Sequence, residues 1–146
     1  MKGRDLRNFL DKPFSVKLHL LKIACYLAWF RFFILTFSFK RLSKQLGQLN
    51  ATPRNTYSLP DYEIKRLAKS IRNVSQVVPW ESKCLVQAVA AKVLLKKRET
   101  DSTLYFGVRK KDDGSSLEAH AWLDVNNETV LGKELADQFT VVSSYT

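Results

Sequence analysis

Cysteine is scarce in this sequence: Cys25 lies in an apolar run and Cys84 follows a Trp-Glu-Ser-Lys stretch. Two thiols form at most one bridge, and no set of Cys and His spacings resembles a zinc site, so neither a disulfide framework nor a metal is expected. A secretory signal is also missing. Asp5 and Asp11 stand in the first residues, and no small-residue cleavage site follows a short apolar core. The compartment expected is therefore a reducing cytosol with free thiols. Internal repeats and low-complexity tracts are absent as well.

Acidic residues are nearly missing from one part of the chain only. Residues 1–54 hold 11 Lys/Arg against 2 Asp/Glu, while residues 55–146 hold 13 against 12. The net charge of +10 therefore belongs to the N-terminal third. No basic stripe interleaved with aromatics runs through the remainder, which argues against a nucleic-acid binder; an acidic peptide, a partner protein or an anionic lipid surface fits better.

An uninterrupted membrane-length apolar run is lacking too. Residues 16–39 are the most apolar part and are predicted as one long helix after Pro13, but Lys17, His19, Lys22 and Arg31 interrupt it, and its longest uncharged pieces are eight residues each. A span needs about 20 apolar residues with few charges. Burial against the protein's own domain or a partner is the expectation, with peripheral membrane contact through residues 16–39 as the alternative. Residues 40–60 read as the helix end and then a linker of turn formers.

What is present is one domain's worth of patterned chain: at 146 residues and 45% hydrophobic content it can bury a core unaided. The expected division is a basic apolar helical extension over 1–54 and a catalytic domain over 55–146. From Asp61, Ile64, Leu67, Ala68, Ile71 and Val74 recur at helical steps. Val78-Pro79-Trp80 breaks that helix, and Glu81 to Leu95 starts another, with Leu85, Ala88, Val89, Lys92 and Leu95 on the face to be buried. The period then changes to two. Leu104, Phe106 and Val108 mark a strand; Asp112-Asp113-Gly114 a turn; Leu117–Val125 a second strand; Asn126-Asn127 a hairpin turn; Thr129–Leu131 a third strand; Phe139–Val142 a last one. Helices followed by a small antiparallel meander indicate an α+β fold.

Cys84 falls near the predicted start of its helix, with Ser82 or Glu81 near the cap. A thiol works as thiolate, and a helix N-terminus stabilises that anion and offers amide donors to a developing oxyanion. His120, in an otherwise apolar strand, is the imidazole that can take the thiol proton and later protonate a leaving amine. The plainer alternatives are a small buried thiol and a satisfied core histidine. His19, inside the long helix, reads as structural. Trp80 and Trp122 read as core, with Trp80 also placed to shield the thiol or wall a groove.

Taken in order, Trp80-x-x-x-Cys84-Leu85, Phe106-Gly107-Val108 and Ala119-His120-Ala121-Trp122 with its hairpin resemble the transglutaminase-like leader peptidases of lasso-peptide biosynthesis, the C-terminal part of microcin-type maturation proteases. The long apolar-basic helix running into Phe39-Lys40-Arg41-Leu42 is similar to theirs, so the likeness covers nearly the whole chain. It implies a papain-like cysteine protease core that removes a leader from a ribosomally made precursor, with Cys84 as nucleophile and His120 as base. It also implies no cofactor, a cytoplasmic or membrane-associated enzyme, and a precursor substrate with Trp80, Lys83 and Trp122 around it. The chain is too short before residue 61 to hold the recognition domain of such systems, so a separate leader-binding protein and a ring-forming cyclase are the expected partners.

The resemblance departs at the third catalytic group. Such proteins usually carry an Asp about a dozen residues after the His, where this chain reads Leu131-Gly132-Lys133-Glu134. Asp124 is four residues along the same strand, roughly 13 Å from His120 at about 3.3 Å per residue. A hairpin turning at Asn126-Asn127 sets residue 133 opposite His120, and a loop longer by one residue brings Glu134 there, making Glu134 the candidate. A backbone carbonyl or an amide is the alternative. Two other function classes stay open: a non-catalytic peptide-binding scaffold of a maturation complex, and an acyl-transferring transglutaminase-like enzyme.

Overall fold

A computed structural model describes residues 13–52, 59–111, 114 and 116–146. Helix α1 (Phe14–Thr36) is followed by α2 (Phe39–Leu46), α3 (Asp61–Val77) and α4 (Cys84–Lys96). Strands β1 (Thr103–Lys110), β2 (Leu117–Val125) and β3 (Glu128–Leu131) come next, then the short α5 (Lys133–Ala136) and β4 (Thr140–Tyr145). The fold is α+β, with one antiparallel sheet in the order β3-β2-β1-β4.

The single helix expected over 16–39 is two helices. Phe37 and Ser38 adopt extended ψ angles of 151° and 147°, and the Phe37 N–H closes α1 on the Phe33 carbonyl at 2.9 Å. The break redirects the chain so that Leu42 and Leu46 of α2 reach the core that Ile23, Leu27 and Phe30 of α1 already enter. Those five residues share one cluster with Ile64, Leu67, Ala68, Ile71 and Val74 of α3 and with the inward face of α4. The described part of the basic N-terminal third thus builds the same core as the rest of the described chain.

Strand alternation decides what the sheet gives to that core. Leu104 of β1, Ala121, Leu123 and Val125 of β2, Leu131 of β3 and Tyr145 of β4 join the helix cluster. The intervening residues of β2, among them His120, Trp122 and Asp124, stand on the opposite face. Asn126 and Asn127, with φ of 54° and 59°, form the expected two-residue hairpin, the left-handed pair that matches strand twist. The last strand is longer than Phe139–Val142: Phe139 stays outside it, and pairing with β1 runs to Tyr145. The expected turn at Asp112-Asp113 lies outside the described residues, as do residues 53–58 of the linker. The linker's first residues dock on the free edge of β4, where Gln48 and Thr146 exchange backbone hydrogen bonds of 3.0 and 3.1 Å.

Candidate active site

Cys84 is the first residue of α4, with Lys83 as N-cap. The helix therefore starts two residues later than a start at Ser82, because Pro79 and the extended backbone of Val78 and Lys83 hold the preceding stretch open. The first amide to be paired inside the helix is that of Gln87, which donates to the Lys83 carbonyl at 3.1 Å. The amides of Cys84, Leu85 and Val86 precede it and have no acceptor in the helix, so the positive end of the dipole lies at the thiol. The Gln87 side chain donates its Nε2 to the Ser82 carbonyl at 2.7 Å and so fixes the approach to the helix.

Cys84 is half-buried, packed against the core cluster on one side. Two buried polar groups precede it with no hydrogen-bond partner, Trp80 Nε1 and Ser82 Oγ. Glu81 bridges Lys83 at 2.6 Å and Arg31 of α1 at 2.8 Å, tying the first helix to the entrance of α4. The Lys83 hydrogen bond, aided by the Lys83 and Arg31 charges, holds the Glu81 carboxyl below the usual carboxylate range. Lys83 itself is exposed.

His120 pairs opposite Gly107 of β1, and its ring lies between two aromatics, with centroids 6.0 Å from Trp122 and 5.2 Å from Phe139. Its Nε2 sits 2.9 Å from the Gly132 carbonyl oxygen. A carbonyl only accepts, so Nε2 carries the hydrogen and Nδ1 is left with the lone pair. Gly107 makes room for this stack, since a Cβ there would stand 2.7 Å from the Trp122 ring and 2.8 Å from Phe139 Cβ. Gly132 has φ of 77°, and a Cβ on it would meet the Ala121 carbonyl at 2.8 Å and His120 Nε2 at 3.1 Å. Arg109 stacks over Phe139 at 4.8 Å and pairs with Glu118 at 2.9 Å, closing the far side of the cluster.

The hairpin register differs from a simple two-residue turn. Asp124 pairs with Thr129 but Leu123 pairs with Leu131, so Val130 is an extra residue. That shift alone would carry Glu134 toward His120. However, β3 stops at Leu131, and the left-handed Gly132 turns the chain into α5, where Glu134 is exposed. The group on His120 Nε2 is the Gly132 carbonyl, and no carboxylate hydrogen-bonds to His120 among the described residues. Asp124 remains on the same strand face, half-buried, its Oδ1 without a partner; burial pushes its carboxyl up, against the opposing hydrogen bond from Thr129.

The structure thus brings together His120, Trp122, Phe139, Gly107 and Gly132, and separately Trp80, Ser82, Lys83 and Cys84. No hydrogen bond joins Cys84 to His120: the thiol stands at the end of the helix layer, and the imidazole is on the face of β2 turned from the core. From sequence Phe139 was named only as the start of the last strand, Gly107 only within the Phe106-Gly107-Val108 motif, and Gly132 only as a neighbour of Glu134, none of them with a role at the site. The glycine after an apolar strand end was the available signal. Among the described residues, no three His, Cys, Asp or Glu side chains gather as a metal site.

A family model described as the transglutaminase-like superfamily matches residues 28–144. That span starts inside α1, takes in α2 to α5, the sheet up to one residue from the end of β4, and both candidate residues. No curated protein and no solved structure matches the chain.

Proposed function

Because this chain belongs to the transglutaminase-like superfamily, which includes cysteine peptidases and transglutaminases, we propose that it is a cysteine peptidase with Cys84 as nucleophile and His120 as base. The observation that carries this reading is an imidazole whose hydrogen is already committed to Gly132, in a chain that also sets a thiol on the first residue of α4. In that tautomer Nδ1 is the only ring atom able to take a proton.

The chemistry follows from those two groups. Nδ1 takes the Sγ proton, and the thiolate attacks the scissile carbonyl carbon. The first amides of α4 hold the oxyanion, with Trp80 Nε1 and Ser82 Oγ as further donors nearby in the chain. The imidazolium returns its proton to the leaving amine as the C–N bond breaks and a thioester remains. Water, deprotonated by Nδ1, then attacks the thioester, releasing the acid and the thiol. The steps require Nδ1 to come within hydrogen-bond reach of Sγ, and because the imidazole stands on the face of β2 turned from the core that Cys84 packs against, they require a rearrangement of backbone on substrate binding. The Gly132 carbonyl takes the orienting role usually given to a carboxylate, with Glu134 as the nearest acidic residue in sequence. Trp122 and the exposed Lys83 flank the two halves of the site.

The substrate class we assign is a ribosomally made precursor peptide of the lasso type, from which the leader is removed. The partners are a separate leader-recognition protein and the cyclase that consumes the freed amine. The order of Trp80, Cys84, Phe106-Gly107-Val108 and Ala119-His120-Ala121-Trp122 supports this finer assignment.

A second reading is a non-catalytic peptide-binding module, favoured by the absence of both a Cys84–His120 hydrogen bond and a carboxylate on His120. Incubating a precursor with the protein and its recognition partner, and weighing the products, separates the readings. Leader and core fragments that vanish with Cys84→Ala support the peptidase. A precursor bound but unchanged in mass supports the module, and a product joined to an amine indicates acyl transfer.

A further inference from the structure

Helix α1 is apolar on two opposite sides, and only one of them is used by the fold. Ile23, Leu27 and Phe30 are buried in the core. On the opposite side Phe14, Leu18, Leu21, Trp29, Phe32 and Leu35 recur at steps of three, four and eight, and each is 55–80% exposed. At 100° per residue they form a single outward stripe, with the exposed Cys25 inside it. Six large apolar side chains on one exposed face exceed the scattered surface hydrophobes of an ordinary monomer.

The charges around the stripe identify its occupant. Lys17 and Lys22 flank it on its two sides, one position before Leu18 and one after Leu21. Lys40, Arg41 and Lys44 stand exposed on α2, just past the end of α1. No acidic residue occurs between Asp11 and Asp61. A protein groove would be expected to face some charge of each sign, whereas α1 and α2 themselves offer cations alone around an aromatic-aliphatic strip, and Glu81, which reaches α1, is neutralised there by Arg31. That is the composition of a helix lying in the headgroup layer of an anionic bilayer, with lysine stems reaching up to the phosphates.

We propose that α1 seats this protein on an anionic lipid surface, lying in the interface through the Phe14–Leu35 stripe. The helix is long and apolar enough to cross a membrane. Crossing would pull Ile23, Leu27 and Phe30 out of the core they share with α3 and α4, so the helix lies on the bilayer and stays packed on the domain. The proposal does not depend on the chemistry of Cys84.

Co-sedimentation of the full chain with vesicles tests it, comparing phosphatidylcholine alone with phosphatidylcholine containing phosphatidylglycerol. Binding is expected to the anionic vesicles, weakened by salt, and at least about tenfold lower on the neutral ones. Leu21→Glu and Phe32→Glu lie on the exposed side, so both variants should keep the native circular dichroism and melting transition while losing at least about tenfold in anionic-vesicle binding. Lys17→Gln with Lys22→Gln should weaken binding in the same direction. The proposal is overturned if the wild-type chain ignores anionic vesicles, or if the two Glu variants bind as wild type. It is equally overturned if the stripe instead mediates a concentration-dependent dimer with no vesicle binding, or if bound protein resists alkaline carbonate as a spanning helix does.

Discussion

Gly132 does two things at one residue: its left-handed φ turns the chain off β3, and its carbonyl fixes the His120 tautomer. A methyl group there meets backbone on one side and the imidazole on the other. Gly132→Ala is therefore expected to cost about 1–3 kcal/mol of stability by urea denaturation. In nitrogen-15 spectra of the neutral imidazole, wild type should show the hydrogen on Nε2, and the variant should show a mixture of tautomers. An Nδ1–H tautomer in the wild type would remove the base from the proposed chemistry. Lys92 makes a different residue-scale statement. It is buried in the middle of α4, its ammonium bonded to the Ser102 carbonyl, and burial, helped by the Lys96 charge, lowers its pKa from 10.5 to about 8. Between these two values the unfolded chain holds the proton more tightly than the folded one, so stability should rise with pH across that window. Below the lower value the full penalty, on the order of 3 kcal/mol, is present. Lys92→Met should thus be more stable than wild type at pH 7 in denaturant titrations, and its advantage should shrink as pH climbs toward 10.5; an advantage independent of pH would contradict the burial account.

At the scale of elements, periodicity was the readable signal wherever one face of an element is buried and the other wet. All five apolar positions expected on α3 are buried, and β2 begins and ends where its alternation does. Lys92 was legible as an inward position of α4 despite its charge, because Ala88, Val89 and Leu95 share its face. Alternation also contained the information that His120 and Ala121 face opposite ways, but not which face the helices cover, since Trp122 and Leu123 stand on opposite faces and both are apolar and buried. The break at Phe37–Ser38 was hidden because neither residue is a proline or a glycine and Phe39 continues the apolar run beyond it. The path after Leu131 was not legible either: a one-residue bulge and a left-handed glycine decide it, and together they put a carbonyl where a side chain was expected. The two sides of α1 give the prediction proper to this scale. Leu27→Ala should destabilise by about 2–5 kcal/mol. Exposed Leu35→Ala should change stability by less than about 0.5 kcal/mol. Equal effects in urea titrations would mean that α1 does not pack as described.

On the scale of the whole molecule, the proposed site draws on separate parts of the fold: α1 ties to the entrance of α4 through Arg31 and Glu81, α4 supplies Cys84, and the face of the sheet turned from the core supplies His120 with its aromatic and carbonyl supports. The same α1 carries its free stripe outward, so a membrane-seated protein would hold the site at a fixed height above the lipid. Membership of the transglutaminase-like superfamily was legible from three short motifs in order, although none of them specifies the third catalytic group. The account stands or falls on whether the two distant residues act as one unit. The direct measurement is the rate of precursor cleavage by wild type, Cys84→Ala, His120→Ala and the double variant, with native folding checked by circular dichroism. Groups that work together lose activity once, so each single variant should fall by at least about 10⁴-fold and the double variant no further than the worse single. Cleavage that persists in Cys84→Ala, or losses that multiply in the double variant, would contradict it.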